Sequence, residues 1–261
     1  LSGRAAALRL LLAAALFSAG ACAQEAPPAP DANAKVEVSA IRNPDLKKYR
    51  SLVAGLDEFE DQRARYAPNA TELRFRFWPR NFGKGDPLAN LQLKISGESD
   101  SLLVPLDANG TFVVPRNERA YDEDADLVLN RKKGELRAFP YVRTPGLPAT
   151  VRRLGDHRLE CRVIVAVAKK DIGLLLTATI NTILLTTDWC SSSKGSWGMD
   201  SEYELDGATL REGGRSQELV VRGRSYQIPM HDPSWSNDAL IEMRPKHESQ
   251  IGPASSEGAG D

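Results

Sequence analysis

The stretch LKISGESDSLLVPLDANGTFVVP, residues 93–115, carries the signals from which the fold is read. Leu91, Leu93 and Ile95 alternate with Gln92 and Lys94, and a period of two places one set of side chains on the buried face of a strand. Leu102 to Leu106 and Thr111 to Val114 read as two further strands. Between them Asp107-Ala108-Asn109-Gly110 predicts a hairpin, because Asn and Gly accept positive φ. The same alternation recurs on both sides. Leu73, Phe75 and Phe77 alternate with Arg74 and Arg76, while Leu127 to Leu129 and Leu136 to Val142 flank a turn at Arg131-Lys132-Lys133-Gly134. Tyr203 and Leu205, Leu219 to Val221, Tyr226 to Ile228 and Leu240 to Met243 extend the pattern, with a tight reversal at Arg222-Gly223. Short strands separated by Pro and Gly predict antiparallel sheets in a β-sandwich-like arrangement.

Two regions change period. Asn43-Pro44-Asp45 predicts a helix start, and Leu46, Tyr49, Leu52, Val53, Leu56, Phe59 and Tyr66 follow at spacings of three and four. This predicts an N-terminal amphipathic helix that ends near Pro68. Further on, the runs Arg158–Ala168 and Ile172–Leu185 flank Lys169-Lys170-Asp171 and predict an inserted helical hairpin rather than a membrane span. The second run is apolar nearly all round, through Leu174, Leu175, Leu176, Ile180, Ile183 and Leu184, which predicts burial on most sides. Its β-branched residues leave a strand as the alternative. The fold class is therefore α+β, as one domain over residues 43–245.

The flanks read differently. Arg4 and Arg9, the apolar run Leu10–Phe17 and Ala21-Cys22-Ala23 are the three parts of a secretory signal peptide over residues 1–23, cleaved after Ala23. Ala19-Gly20-Ala21-Cys22 resembles a bacterial lipoprotein box, so a lipid anchor on Cys22 is the alternative. Residues 24–42 are an Ala/Pro-rich spacer with Pro27, Pro28 and Pro30, and residues 246–261 a polar tail expected to be disordered. The leader takes two of the 34 basic residues and none of the 35 acidic ones, which leaves 32 against 35, a net charge of −3. That balance argues against a nucleic-acid partner held by bulk charge. Cleavage also removes Cys22. Cys161 and Cys190 remain, an even pair that predicts a disulfide in an oxidising compartment, periplasmic or extracellular.

Several patterns are candidates for chemistry. Ser191-Ser192-Ser193-Lys194 matches S-x-x-K, in which a serine nucleophile sits one helical turn from a lysine. Here it lies in a Ser/Gly loop with no downstream K-T-G. Tyr121-Asp122-Glu123-Asp124-Ala125-Asp126 gathers carboxylates that calcium favours but lacks the ligand spacing of a calcium loop. His157 and Cys161, four apart, could bind zinc with Cys190 and His231, although the disulfide competes for both thiols. His247-Glu248 lacks the second histidine of a zinc-protease motif. Trp189, Trp197 and Trp235 lie in Ser/Gly-rich loops and are candidate ligand-binding residues, as indoles stack on sugars and peptides; packing beside the cystine is the alternative. No catalytic set, cofactor or metal site is expected.

Pro105-Leu106-Asp107-Ala108-Asn109-Gly110-Thr111-Phe112-Val113-Val114-Pro115 resembles the turn-and-strand signature of carboxypeptidase-regulatory-like (transthyretin-like) β-sandwich modules. The resemblance implies a non-catalytic accessory or binding domain. The chain as a whole is also similar to uncharacterised exported proteins of Proteobacteria, which implies a compartment and no mechanism. The leading expectation is a non-enzymatic periplasmic protein that binds a protein or envelope partner. An exposed apolar patch would support it. The rival is an envelope hydrolase or carbohydrate-binding protein using Ser191, Lys194 and the loop tryptophans.

Overall fold

The structure is a computed structural model that describes residues 43–80, 86–192 and 197–247. The leader, Cys22, the spacer, Lys194 and residues 248–261 lie outside that description. In chain order the elements are β1 (Pro44–Lys48), α1 (Tyr49–Tyr66), β2 (Arg74–Pro79), β3 (Leu93–Ser96), β4 (Ser101–Val104), β5 (Thr111–Phe112), α2 (Glu118–Asp122), β6 (Asp126–Lys132), β7 (Leu136–Tyr141) and β8 (Val151–Arg153). The long helix α3 (Leu154–Leu184) follows, then β9 (Trp197–Asp200), β10 (Leu205–Glu212), β11 (Arg215–Glu218), β12 (Val221–Arg222), β13 (Ser225–Ile228) and β14 (Leu240–Pro245). Among the described residues the strands form antiparallel sheets with orders β1-β6-β3-β4, β5-β2-β7, β11-β10-β14-β8 and β12-β13-β9.

The turn at residues 107–110 does not make a hairpin. Its backbone closes as expected, with Gly110 at φ 77° and the Asp107 N–H donating to Thr111 O at 2.9 Å. Its two arms nevertheless enter different sheets. β4 pairs back onto β3, Leu93 opposite Val104, whereas β5 pairs with β2. The Phe112 ring stacks 5.7 Å from Phe75 and 4.8 Å from Phe77, which draws β5 to that partner.

The start of the first helix also moves. Pro44–Lys48 is a strand, because Leu46 and Lys47 pair with Val128 and Leu127 of β6 and satisfy the backbone there. Helix α1 begins at Tyr49 without a side-chain cap. Its first N–H donates instead to Ala125 O at 2.9 Å. Leu52, Val53, Leu56, Phe59 and Tyr66 are buried. α1 crosses α3 at Gly55, where a Cβ would lie 2.8 Å from Val167 Cγ2 and 3.1 Å from Val163 Cγ1.

Helix α3 is bent at Gly173, whose φ of 76° and ψ of 176° are non-helical. The Cys161–Cys190 disulfide, with 6.0 Å between the Cα atoms, requires that bend. A straight helix would carry Leu184 about 34 Å beyond Cys161, and the residues from there to Cys190 reach back at most about 20 Å. The first limb, Leu154 to Ile172, faces two cores. Leu159 and Val163 join the core of α1, β2, β3 and β6. Leu154, Cys161 and Val165 join that of β10, β13 and β14. The second limb, Leu174 to Leu184, reverses the burial expected of it: Leu174 is 90% exposed and Leu175 86%. The two cores take side chains from the first limb and none from the second.

At the other end, Lys246 is still ordered, its N–H donating to Glu204 O at 2.7 Å. Replacing both cysteines of the staple with serine should lower the unfolding free energy by about 3–4 kcal/mol, the loop-closure value for a separation of 29 residues. Urea denaturation of the oxidised and double-serine chains measures this.

Candidate functional site

The first limb of α3 buries three charged or polar side chains that must find partners inside the protein. Asp156 accepts from the Thr144 N–H and hydroxyl, both at 2.8 Å. Glu160 accepts from the Val142 N–H at 2.8 Å and from Arg152 Nη2 at 2.7 Å. His157 lies 2.6 Å through Nδ1 from Glu160 and 2.8 Å through Nε2 from the Tyr226 hydroxyl. Burial, helped by the nearby Arg152 charge, lowers the His157 pKa against the pull of Glu160. Burial alone would raise that of Glu160, yet Arg152, His157 and the Val142 N–H outweigh it and hold it below the ordinary value. A charged Glu160 can only accept, so Nδ1–H donates to it and the Tyr226 O–H donates to Nε2. Tyr226, His157, Glu160 and Arg152 form one relay. The adjoining cavity, lined by Tyr226, Arg152, Tyr141 and Glu202, holds about 10 Å³. That is room for no more than a water, so the relay ties the two cores together and has no space for a substrate.

This geometry removes the zinc alternative. Cys161 and Cys190 are joined to each other, and both ring nitrogens of His157 are engaged. The acidic run is taken up by protein partners. Asp124 and Asp126 pair with Lys48, Asp124 faces Arg50, and Glu123 accepts from the N–H groups of Glu98 and Ser99.

All three tryptophans pack on the core that holds the cystine, Trp235 within it and Trp189 and Trp197 against it. Trp235 is buried, 5% exposed, with the Arg215 guanidinium 3.9 Å from its ring centre. Trp197 is half-buried against the β10–β13–β14 core. Trp189 stands at the base of the second limb, where its indole N–H donates to Asn181 Oδ1 at 2.7 Å. A surface cleft of about 400 Å³ is lined by Arg65, Tyr66, Arg158, Arg162, Ser191, His231 and Trp235. Arg158 is spent on holding the loop behind it, donating to Met230 O, Asp232 O, Trp235 O and Asn237 Oδ1. The Ser191 hydroxyl donates to Asp188 Oδ2 at 2.7 Å, and Arg162 reaches the same oxygen at 2.7 Å. Burial would raise the Asp188 pKa, but these donors keep it low. Lys194, the other half of the S-x-x-K match, falls outside the described residues.

The exposure of the second limb of α3 is the feature that sequence reasoning missed. From Ile172 to Thr187 the chain carries no charged residue. Besides Leu174 and Leu175, Leu185 is 79% exposed and Ile183 is also exposed. Its threonines turn their hydroxyls inward: Thr177 donates to Gly173 O at 2.8 Å, Thr179 to Leu175 O at 3.1 Å and Thr182 to Ala178 O at 3.0 Å. At its base Lys169 donates to Thr187 O at 2.8 Å and lies over the Trp189 ring, 5.2 Å from its centre. Lys47 of β1 pairs with Asp171 beside the bend. No helix among the described residues is long and apolar enough to cross a membrane.

No protein-family model, curated protein or solved structure matches the chain.

Glu160 and His157 both titrate lower in the folded chain than when free, so the unfolded chain binds more protons below neutrality and stability rises with pH. The thermal midpoint should therefore fall as pH drops from the ordinary histidine value of 6.5 into the carboxylate range, and His157→Gln should flatten the upper part of that slope. Calorimetry across pH measures both. At neutral pH, Glu160→Gln should cost about 3–5 kcal/mol, because Arg152 is left as an unpaired buried charge.

Proposed function

We propose that the protein is a non-enzymatic periplasmic binding or envelope-support protein that docks onto an apolar partner surface through the second limb of α3. The observation that carries this reading is the exposure of Leu174 and Leu175 on the limb, and of Leu185 just past its end, within one uncharged segment. Large exposed aliphatic patches mark interaction surfaces, since water solvates them at a cost of about 1.5–3 kcal/mol per leucine relative to burial. In this reading the sheets are a sandwich-like scaffold with the first limb of α3 between its cores and the amphipathic α1 packed alongside. The export-type leader delivers the chain, and the staple ties the end of the second limb back to the first.

Cell fractionation tests the reading. The native chain should stay with the envelope fraction, and Leu174→Ser/Leu175→Ser should pass into the soluble periplasmic fraction with its disulfide and circular dichroism unchanged. Identical fractionation of the two chains would overturn the docking role. The mature amino terminus, read by mass spectrometry, should be Gln24.

A second reading has one observation in its favour: the cleft brings Ser191 and Arg162 to the edge of Trp235. An envelope hydrolase or carbohydrate-binding protein would use that cleft, with Lys194 and the tryptophans as partners. Under it Ser191→Ala lowers turnover or ligand affinity; under the docking reading that substitution leaves envelope association intact.

A further inference from the structure

The docking limb differs from an ordinary protein interface in a way that identifies its occupant. Protein interfaces concentrate Tyr, Trp, Phe, Met and Arg at their centre, each an anchor for a shaped pocket. The exposed segment has none of these. It offers aliphatic side chains, alanine and threonine, with Asn181 as its one amide. Its three threonine hydroxyls are already bonded to carbonyls of their own helix. A helix in hydrocarbon must satisfy its polar groups internally in this way, because no water or partner donor is available there. The amide of Asn181, the strongest polar group of the limb, has its oxygen occupied by the Trp189 indole N–H.

The base of the limb carries the complementary feature. Trp189 and Lys169 are stacked there, Lys170 is exposed beside them, and Lys47 is held at the bend through Asp171. Indoles at the level of lipid headgroups and lysines facing anionic phosphates are the anchors of segments that sit in a membrane interface. The limb beyond the bend is about 16 Å long, too short for the roughly 30 Å hydrocarbon core. It can lie within one leaflet and cannot span.

Resting on the docking reading above, we propose that the partner is the surface of a bilayer containing anionic phospholipid, into which Leu174, Leu175 and Leu185 insert while Lys169, Lys170 and Trp189 stay at the headgroups. The rest of the described domain stays outside, which makes the protein a peripheral membrane protein anchored by one stapled segment.

The test is flotation of the full chain, disulfide intact, with vesicles of phosphatidylcholine alone or with phosphatidylglycerol added. The native chain should float with both and more tightly with the anionic vesicles. Leu174→Ser/Leu175→Ser should weaken binding to both by at least about tenfold. Lys170→Gln should weaken binding to the anionic vesicles by about fivefold and leave the neutral ones unchanged. Flotation undiminished in the double-serine chain would belong to the leader and would overturn the proposal. Failure of the native chain to float would also overturn it. If envelope fractionation still depended on Leu174 and Leu175 in that case, docking would stand with a protein partner. If light scattering showed a dimer that the double-serine variant dissociates, a second copy would be the occupant. If neither held, docking and lipid insertion would fall together.

Discussion

From Leu154 to Cys161 the first limb of α3 is buried at every position but Arg158, and the remainder of the fold is arranged to satisfy it. Leu159 and Val163 fill one core while Cys161 and Val165 fill another. The side chains between these rows include Asp156, His157 and Glu160, which are ionisable and fully buried. A charge in such a place is tolerated only when hydrogen-bonded and paired. Thr144, Val142, Arg152 and Tyr226 supply those partners from the β7–β8 connection, β8 and β13. The same bonds that neutralise the helix thereby fix the two sheet systems to it, and polar satisfaction becomes a source of tertiary specificity.

That central position also explains the exposure of the second limb. The first limb supplies side chains to both cores, and neither core takes one from the residues between Gly173 and Leu184. The disulfide then keeps the limb from extending away from the body, by holding Cys190 against Cys161. Gly173 adopts its positive φ with nothing packed about it, so the bend is a backbone property rather than a consequence of core packing. The outcome is an aliphatic segment presented on a closed frame, with its hydroxyls turned in and lysines at its base.

The cleft beneath Trp235 is built on a different principle. Its arginines act as braces: Arg158 holds the loop around Met230 to Asn237, and Arg162 secures Asp188 beside the staple. The donors of these two arginines face protein oxygens. The aliphatic limb, whose apolar atoms face solvent, is where an association free energy remains to be gained.

By itself the sequence determined strands such as β2, β3, β6, β7, β13 and β14 and the pairing of Cys161 with Cys190, because period-two alternation and an even cysteine pair are local or arithmetical signals, whereas β8, β9 and β11 went unread. The Arg222-Gly223 reversal is as local, joining β12 to β13. Tertiary structure alone decided partners and burial. The Asp107–Gly110 turn has the residues of a hairpin, yet its arms separate because Phe112 stacks on Phe75 and Phe77 while β4 returns to β3. Residues 44–48 have helix-start chemistry and become a strand because β6 offers a free edge. The relay from Tyr226 to Arg152 was half visible in the i, i+3 spacing of His157 and Glu160, but its other members come from distant strands. Most of all, hydropathy ranks the Ile172–Leu185 run above the charged Arg158–Ala168 run for burial, and the fold inverts that order. A side chain is buried when neighbours pack on it, and a charged one is buried when those neighbours also satisfy it. Neither condition is a property of the segment in which the side chain lies.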